Sequence, residues 1–435
     1  MAGRRLSSND VGVVIALAIV VLVLLLVYVA EQGEGRAEQR IAVDGADAPA
    51  VAGAAVEPRI PQSADRDSHH DATATGCGIE TAQAGQSESE ADAMVERQRD
   101  EAVEAILAAL AARPEPRARA AGLYFRAARG LVDTASADAC KSQPDACATL
   151  EQRRRDDGDS AEALARLAVD SSDPQVYAWA YRSCARVSRQ GAGSCQLVNA
   201  LQWARLDPEN AAPWLAVAQE AKSRKDAAGL DDAMFHVAAA TIHDPGWGRA
   251  AAQMIEAARR ADEQAAGTWL AALSAINYEM ALDLPSFQEA TTYCDARALG
   301  NANRRDICDK VAAVLVDRST ILLGRSMGIG LAKRLDWPAP RLAAAELERD
   351  AANALALRDA PRFGEPTTCA NVRSDLSRLV DNGRLGEVEA VKQRIGAMGE
   401  SIDTLAAEQR RFVRSTREAD AAAAAASAAS AARGS

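Results

Sequence analysis

Aromatic residues make up only 4 % of this 435-residue chain, and histidine occurs four times. So little aromatic surface argues against a large β-rich enzyme core, where aromatic and β-branched side chains fill the pleated layers. β-Branched runs are confined to the N-terminus and alanine is abundant elsewhere, so the soluble part is expected to be all-α. No Cys-x-x-Cys pair occurs, and no histidine lies near a close cysteine pair, which leaves a zinc site without its ligand spacing. Gly-x-Ser-x-Gly, His-Glu-x-x-His and the phosphate-loop signature are missing as well. Ser326-Met327-Gly328-Ile329-Gly330 has too few glycines, and no Gly-Lys, for a phosphate loop; it is expected to kink or closely pack a helix near Gly324. No cofactor is implied, and no carboxylate stands in a context that marks it as an acid or base.

Charge is absent from one place above all. Residues 11–30 carry none, and twenty helical residues at ~1.5 Å each span roughly 30 Å, a bilayer's hydrocarbon thickness. A cleaved secretory signal is the alternative, but its apolar core is usually about 7–15 residues, and Tyr28 stands where a small residue would precede the cut. An uncleaved transmembrane helix is expected. Arg4 and Arg5 before the span, against Glu31 and Glu34 after it, keep residues 1–10 cytoplasmic and export the bulk of the chain. The formal net charge is −11, and so acidic an exported surface repels phosphate backbones, which argues against nucleic-acid binding.

All eight cysteines follow the span: Cys77, Cys140, Cys147, Cys184, Cys195, Cys294, Cys308 and Cys369. An even count outside an anchor reads as a disulfide set in an oxidising compartment, the periplasm if the Ala/Arg-rich composition is bacterial. The expected location is therefore the inner membrane, single-pass, with most of the chain periplasmic.

Residues 31–88 mix Ala, Gly, Pro, Ser and acidic residues without apolar periodicity and read as a flexible linker. His69-His70-Asp71 lies within it, and three adjacent residues cannot by themselves close a coordination shell. From residue 89 the pattern is helical. Val95, Ala102, Ile106 and Leu110 recur until Pro114 and Pro116; a second helix holds Leu123, Tyr124 and Phe125; Ser142-x-x-Asp145 with Pro144 starts another. His236 and His243 are seven apart and share a helix face if that helix runs unbroken; a metal or acid/base pair is one reading, two partly exposed surface histidines the plainer one.

Asp173-Pro174, Asp207-Pro208 and Asp244-Pro245 recur at spacings of 34 and 37 residues, with two apolar helical stretches between successive pairs. Examples are 175–189, then GAGS at 191–194, then 195–205. Asn210 is placed to cap the helix holding Trp214. A helical hairpin repeating every 34 residues resembles the tetratricopeptide repeat, or its Sel1-like relatives. With Pro208 and Pro245 as closing prolines, Trp214 takes the large position, Ala218 the small position of the first helix, and Ala233 and Ala240 those of the second. The unit before it departs, with Ala180 at the large position and Trp203 at a small one. The resemblance covers about 160–285 inside a helical-repeat domain of 89–383. It implies a solenoid whose first helices line a partner groove, here Tyr181, Gln219, Lys222, Arg249, Glu256 and Arg259.

In the same register Cys184 and Cys195 fall where the hairpin's helices approach most closely, as a disulfide requires. Cys294 and Cys308 repeat the device, with Ser286-x-x-Glu289 opening one helix, Gly300 ending it and Asn303-x-x-Asp306 opening the next. Cys140 and Cys147 would staple a turn, and Cys77 and Cys369 would join the two ends of the domain. Eight cysteines allow 105 pairings in all.

Val388, Val391, Ile395, Met398, Ile402, Leu405, Gln409 and Phe412 are spaced alternately three and four apart. That is a heptad seam in a long helix over 384–420, ahead of an Ala-rich tail at 421–435. It serves a homodimeric coiled coil through 388–412, or a helix folded back on the repeats; Gly396 and Gly399 weigh against it. Two function classes remain. One is a membrane-anchored periplasmic scaffold binding a protein or peptide in the cell envelope. The other is an envelope enzyme, such as a peptidoglycan-directed hydrolase, with an unidentified catalytic carboxylate.

Overall fold

The computed structural model describes residues 88–132, 144–186, 193–261, 287–359 and 369–433. The expected membrane span at 11–30, the linker, Cys77 and Cys140 lie outside them, and with these two cysteines the bridges Cys140–Cys147 and Cys77–Cys369. Among the described residues every regular element is helical, there is no strand, and no helix is long and apolar enough to cross a membrane.

In chain order the α-helices are α1 (Glu88–Ala111), α2 (Pro116–Val132), α3 (Pro144–Val169), α4 (Pro174–Arg186), α5 (Ala200–Leu206), α6 (Ala211–Ser223), α7 (Ala227–Ala239) and α8 (Arg249–Ala261). They continue as α9 (Gln288–Tyr293), α10 (Ala302–Arg318), α11 (Leu322–Arg334), α12 (Ala339–Asp359), α13 (Cys369–Leu385), α14 (Glu387–Met398) and α15 (Ile402–Arg433). Prolines open α2, α3 and α4, where a missing N–H costs nothing and the fixed φ is already helical. Most helices pack against the next in sequence, so the chain runs as successive antiparallel hairpins.

Two large cores lie side by side. The first joins α1–α4 to Trp203 and α8, and centres on Trp179 stacked against Tyr124 at 5.9 Å between rings. The second joins α6, α7, α9, α10 and α11 around Met234, Leu315 and Ile329. Alanine fills much of both, so helices approach closely without bulky side chains. The α10–α11 crossing is one of the close ones. A Cβ on Gly328 would sit 2.7 Å from Val316 N, which is why the glycine-containing stretch packs inside a helix and forms no loop.

The Asp-Pro seams meet one another. Thr241 N donates to Glu209 O at 2.9 Å and Ala211 N to Ile242 O at 2.8 Å. His243 N donates to Arg318 O at 3.1 Å, Thr320 N returns to His243 O at 2.9 Å, and Val388 N reaches Thr320 O at 3.0 Å. The segments before α6, α8, α11 and α14 are thus stitched by short parallel bridges at Asn210–Ile242 and His243–Ser319. Asn210, buried, uses its whole carboxamide there. Its Nδ2 donates to Asp207 Oδ2 (2.8 Å) and Asp244 O (2.7 Å); its Oδ1 accepts from Ala212 N (3.0 Å), capping α6, and from Asp244 N (2.9 Å).

Cys184 and Cys195 form a disulfide with Cα atoms 5.2 Å apart, and Cys294 and Cys308 another at 5.7 Å. The helix boundaries around them differ from expectation. Cys195 sits in a 3-10 turn, Ser194–Leu197, whose free N–H groups are taken by the Glu162 carboxylate. The following helix starts only after Asn199, whose side chain accepts from Gln202 N. Near the second bridge Cys294 ends the short α9, which has no side-chain cap, and Asn301 rather than Asn303 caps α10. Either asparagine reads equally well in the sequence; the extended backbone at 301, held after the 3-10 turn Ala298–Gly300, decides it.

The single heptad helix over 384–420 is also corrected. Gly399 adopts a left-handed conformation (φ 67°) and closes α14, and α15 starts at Ile402. Val391, Ile395 and Leu405 pack on Ala351 and Leu355 of α12, leaving Met398, Ile402 and Phe412 exposed. The packed part of the stripe serves the fold-back arrangement.

Replacing Asn210 with alanine should lower unfolding free energy by about 3 kcal/mol, since it strands buried N–H and C=O groups of two seams at once. Denaturant titration reads this directly, and a loss below about 1 kcal/mol would show the seam to be dispensable. Each disulfide closes a loop that the chain-entropy model values at about 3 kcal/mol. Reduction should therefore lower the melting temperature while much helix persists, and non-reducing peptide mapping should return the pairs Cys184–Cys195 and Cys294–Cys308.

Candidate functional site

The six residues expected to line a groove are employed unequally. Tyr181 is half-buried, its ring 5.7 Å from Trp203. Lys222 lies 3.8 Å from the buried Glu289 carboxylate and 3.5 Å from Thr292, so it supplies the countercharge that lets Glu289 be buried. Arg249 pairs with Asp244 and donates to Gln175 Oε1 at 2.8 Å, while Glu256 accepts from Arg384 at 2.7 Å. Gln219 and Arg259 are exposed. The structure thus distributes these residues over α4, α6 and α8, and Lys222, Arg249 and Glu256 brace the chain itself.

Gln175, Asn210, Asp244, Pro245 and Arg249 surround a cavity of about 20 Å³ where the Pro corners converge. It suits one water molecule and no substrate. Gln175 Nε2, buried and without a hydrogen-bond partner among the described residues, is the group such a water would satisfy.

His236 and His243 do not share a helix face, because α7 ends at Ala239. His236 stacks on Trp214, ring centroids 3.9 Å apart. His243 is fully buried, with Nδ1 2.9 Å from Ser319 Oγ, and the Ser319 hydroxyl donates to Ile321 O at 3.0 Å. That assigns the ring proton to Nδ1 and leaves Nε2 bare, buried and without a partner among the described residues. A His–Ser pair at this distance has the form of a base and nucleophile, yet neither side chain faces a space a substrate could enter. Burial pushes the His243 pKa down to about 4, with the Asp244 carboxylate offsetting part of the shift. Glu387 accepts from Leu322 N at 2.8 Å, capping α11, and burial raises its carboxyl while that N–H opposes the rise.

Among the described residues no group of three or more His, Cys, Asp or Glu side chains is placed to hold a metal ion. One groove is open to solvent. Phe235, Ala238 and Ala239 of α7 face Asn303, Asp306, Ile307 and Lys310 of α10 across a groove of about 470 Å³. Compared with known protein families, characterised proteins and solved structures, the chain matches none of them.

Phe235 is 59 % exposed, more than any other phenylalanine among the described residues. The stripe of α7 that enters the core is Ala233, Met234 and Val237, which leaves Phe235 nearly half a turn from its centre, one turn beyond Asp231 and Asp232. That displacement of an aromatic residue from its helix's apolar stripe is the sequence signal for the groove, and tracking the repeat register alone passed over it. Cations at the groove are engaged: Lys310 pairs with Asp306 at 2.6 Å, and Arg304 pairs with Asp231 at 3.2 Å and lies over the Tyr293 ring.

His243 yields a pH prediction with a definite sign. Its native pKa, about 4, lies below the unfolded value of 6.5, so between them only the unfolded state binds the proton. Stability should fall by about 3 kcal/mol as pH drops from about 6.5 to about 4. Glu387, with a raised carboxyl, contributes the opposite sign, losing stability as pH rises. Comparing wild type with H243L by denaturant titration at several pH values isolates the histidine. A variant with an unchanged slope would remove His243 as the cause.

Proposed function

We propose that this chain is a disulfide-braced, tetratricopeptide-like scaffold, held to the inner membrane by residues 11–30, that binds a protein or peptide partner in the periplasm. The observation that carries the reading is the open α7–α10 groove, apolar inside and bordered by carboxylates and cations, with Phe235 held out at its mouth. An enzyme of the alternative kind would be recognised by a buried, unpaired acid in a cleft. Glu289 is buried but neutralised by Lys222, and Glu387 caps a helix; neither borders the groove.

Hairpins stitched seam to seam supply the rigid frame a docking groove needs, because a groove between fixed helices is not reorganised on binding. The two disulfides suit an oxidising compartment, and the negative net charge steers basic partners toward the surface.

Site-specific photo-crosslinking in the producing cells tests the reading. A photoreactive residue at Asn303, on the groove, should give a discrete protein adduct, and one at Arg259, distant in sequence and exposed, should not. Adducts of equal yield at both positions, or none at either, would overturn the scaffold. N-terminal sequencing of membrane-fraction protein should return the intact N-terminus; a start near residue 31 would remove the anchor.

A further inference from the structure

We infer that the α7–α10 groove takes a segment presenting one large apolar side chain flanked by lysine or arginine. This rests on the scaffold reading and specifies the chemistry of the partner.

The apolar half of the match comes from shape and composition. Phe235, Ala238, Ala239 and Ile307 line a space of about 470 Å³, ample for a Leu, Met or Phe side chain. The α7 wall offers two small residues beside an exposed ring and the α10 wall offers Ile307, the features of a slot: the alanines admit the side chain, Ile307 meets it from the other helix and Phe235 flanks it. Leaving Phe235 exposed costs hydrophobic free energy that an inserted side chain would recover.

The basic half comes from the charges at the mouth. Asp306 and Lys310 line the groove and pair with each other, Arg304 of α10 pairs with Asp231 of α7, and Asp232 is the next residue along α7. Asp232, exposed and one turn before Phe235 on α7, makes no hydrogen bond or ion pair among the described residues. The residual charge next to the slot is therefore negative, and the whole chain's −11 has the same sign. A partner acid placed there would meet like charge, whereas a lysine or arginine one or two positions from the inserted side chain would meet Asp232. Both sides select, the aspartate by attraction and the acidic surface by repulsion.

A random peptide library displayed on phage, panned against the full chain with its disulfides intact, tests this. Enriched sequences should place Lys or Arg within two positions of Leu, Ile, Met or Phe. A synthetic peptide of the enriched sequence should bind about tenfold more tightly than the same peptide with its cations changed to glutamate. Binding should be lost in F235D, which alters an exposed ring and should leave helix content unchanged, and the charge preference should weaken or invert in D232K. F235A serves as a second variant should the aspartate disturb α7.

Absence of any enrichment, enrichment of acidic sequences, or full binding by F235D would each overturn the inference. So would sedimentation showing the groove occupied by a second copy of the chain and released by F235D. The crosslinking experiment separates the two levels: a cellular adduct at Asn303 with no charge preference in the panned peptides would leave the scaffold standing and remove only this partner chemistry.

Discussion

The fold depends on how its inter-helix seams hold to one another, and the Asn210 carboxamide is where that hold is most concentrated. One side chain with two donors and two acceptor directions satisfies Asp207, Asp244 and the first turn of α6, using all it has. Beside it the backbone of 241–243 bridges 209–211 on one side and 318–320 on the other, and Thr320 passes the ladder on to Val388. Helical hairpins pack through side chains and leave their connecting segments with unsatisfied peptide groups. Here those groups satisfy one another, so the seams become a spine in place of a set of solvated loops.

A spine of this kind allows the helices to be poor in large side chains. Alanine offers little area for burial, and a core made of it gains mainly from close approach and many weak contacts. Close approach in turn demands glycine at particular places. A Cβ on Gly383 would lie 2.5 Å from Gly248 O where α13 crosses the start of α8, and Gly248 itself has φ +79°. At Gly324 an added Cβ would meet Ser319 Oγ and His243 Nδ1, the same hydroxyl and ring that join the second and third seams. Small residues, tight crossings and the polar spine thus belong to one solution. The buried histidine has a consequence within it: a neutral ring fits, and a charged one has no acceptor for its second proton.

Much of this was legible, and the exceptions have physical reasons. Asn210 read as a cap, the helical class followed from alanine and the confinement of β-branched runs to the N-terminus, and two of the three local cysteine pairs, read from the repeat register and from helix starts and stops, form bridges. These are all local properties. The helix start after 193 is misplaced because a 3-10 turn reads like the first turn of a helix, and nothing nearby in sequence marks Glu162, 32 residues upstream, as the acceptor for Ser194 N; the start after 300 is misplaced because Asn301 and Asn303 read alike as caps. The heptad stripe was real as a pattern but could not tell a partner helix in another molecule from α12 in the same one. Only Gly399 and the long-range contact with Ala351 and Leu355 distinguish them. The groove residues were missed for the same reason, since Phe235 and Ile307 are 72 positions apart and meet only through packing of α7 on α10.

Most of the buried or half-buried carboxylates are held by cations of the same chain. Asp350 is buried and held by Arg349 and Arg410, Glu289 by Lys222, Asp173 by Arg117, Glu256 by Arg384. Each joins elements distant in sequence or closes a corner, and Arg117 holds the Asp173 carboxyl below its ordinary range against the opposing effect of burial. Charges committed in this way are fixed by the fold and are poor candidates for recognition, since recruiting them to a ligand would first break the frame. Recognition then falls to groups the frame does not use. On the α7–α10 face these are an exposed ring, a pair of alanines and one aspartate, the groups on which the proposed docking relies.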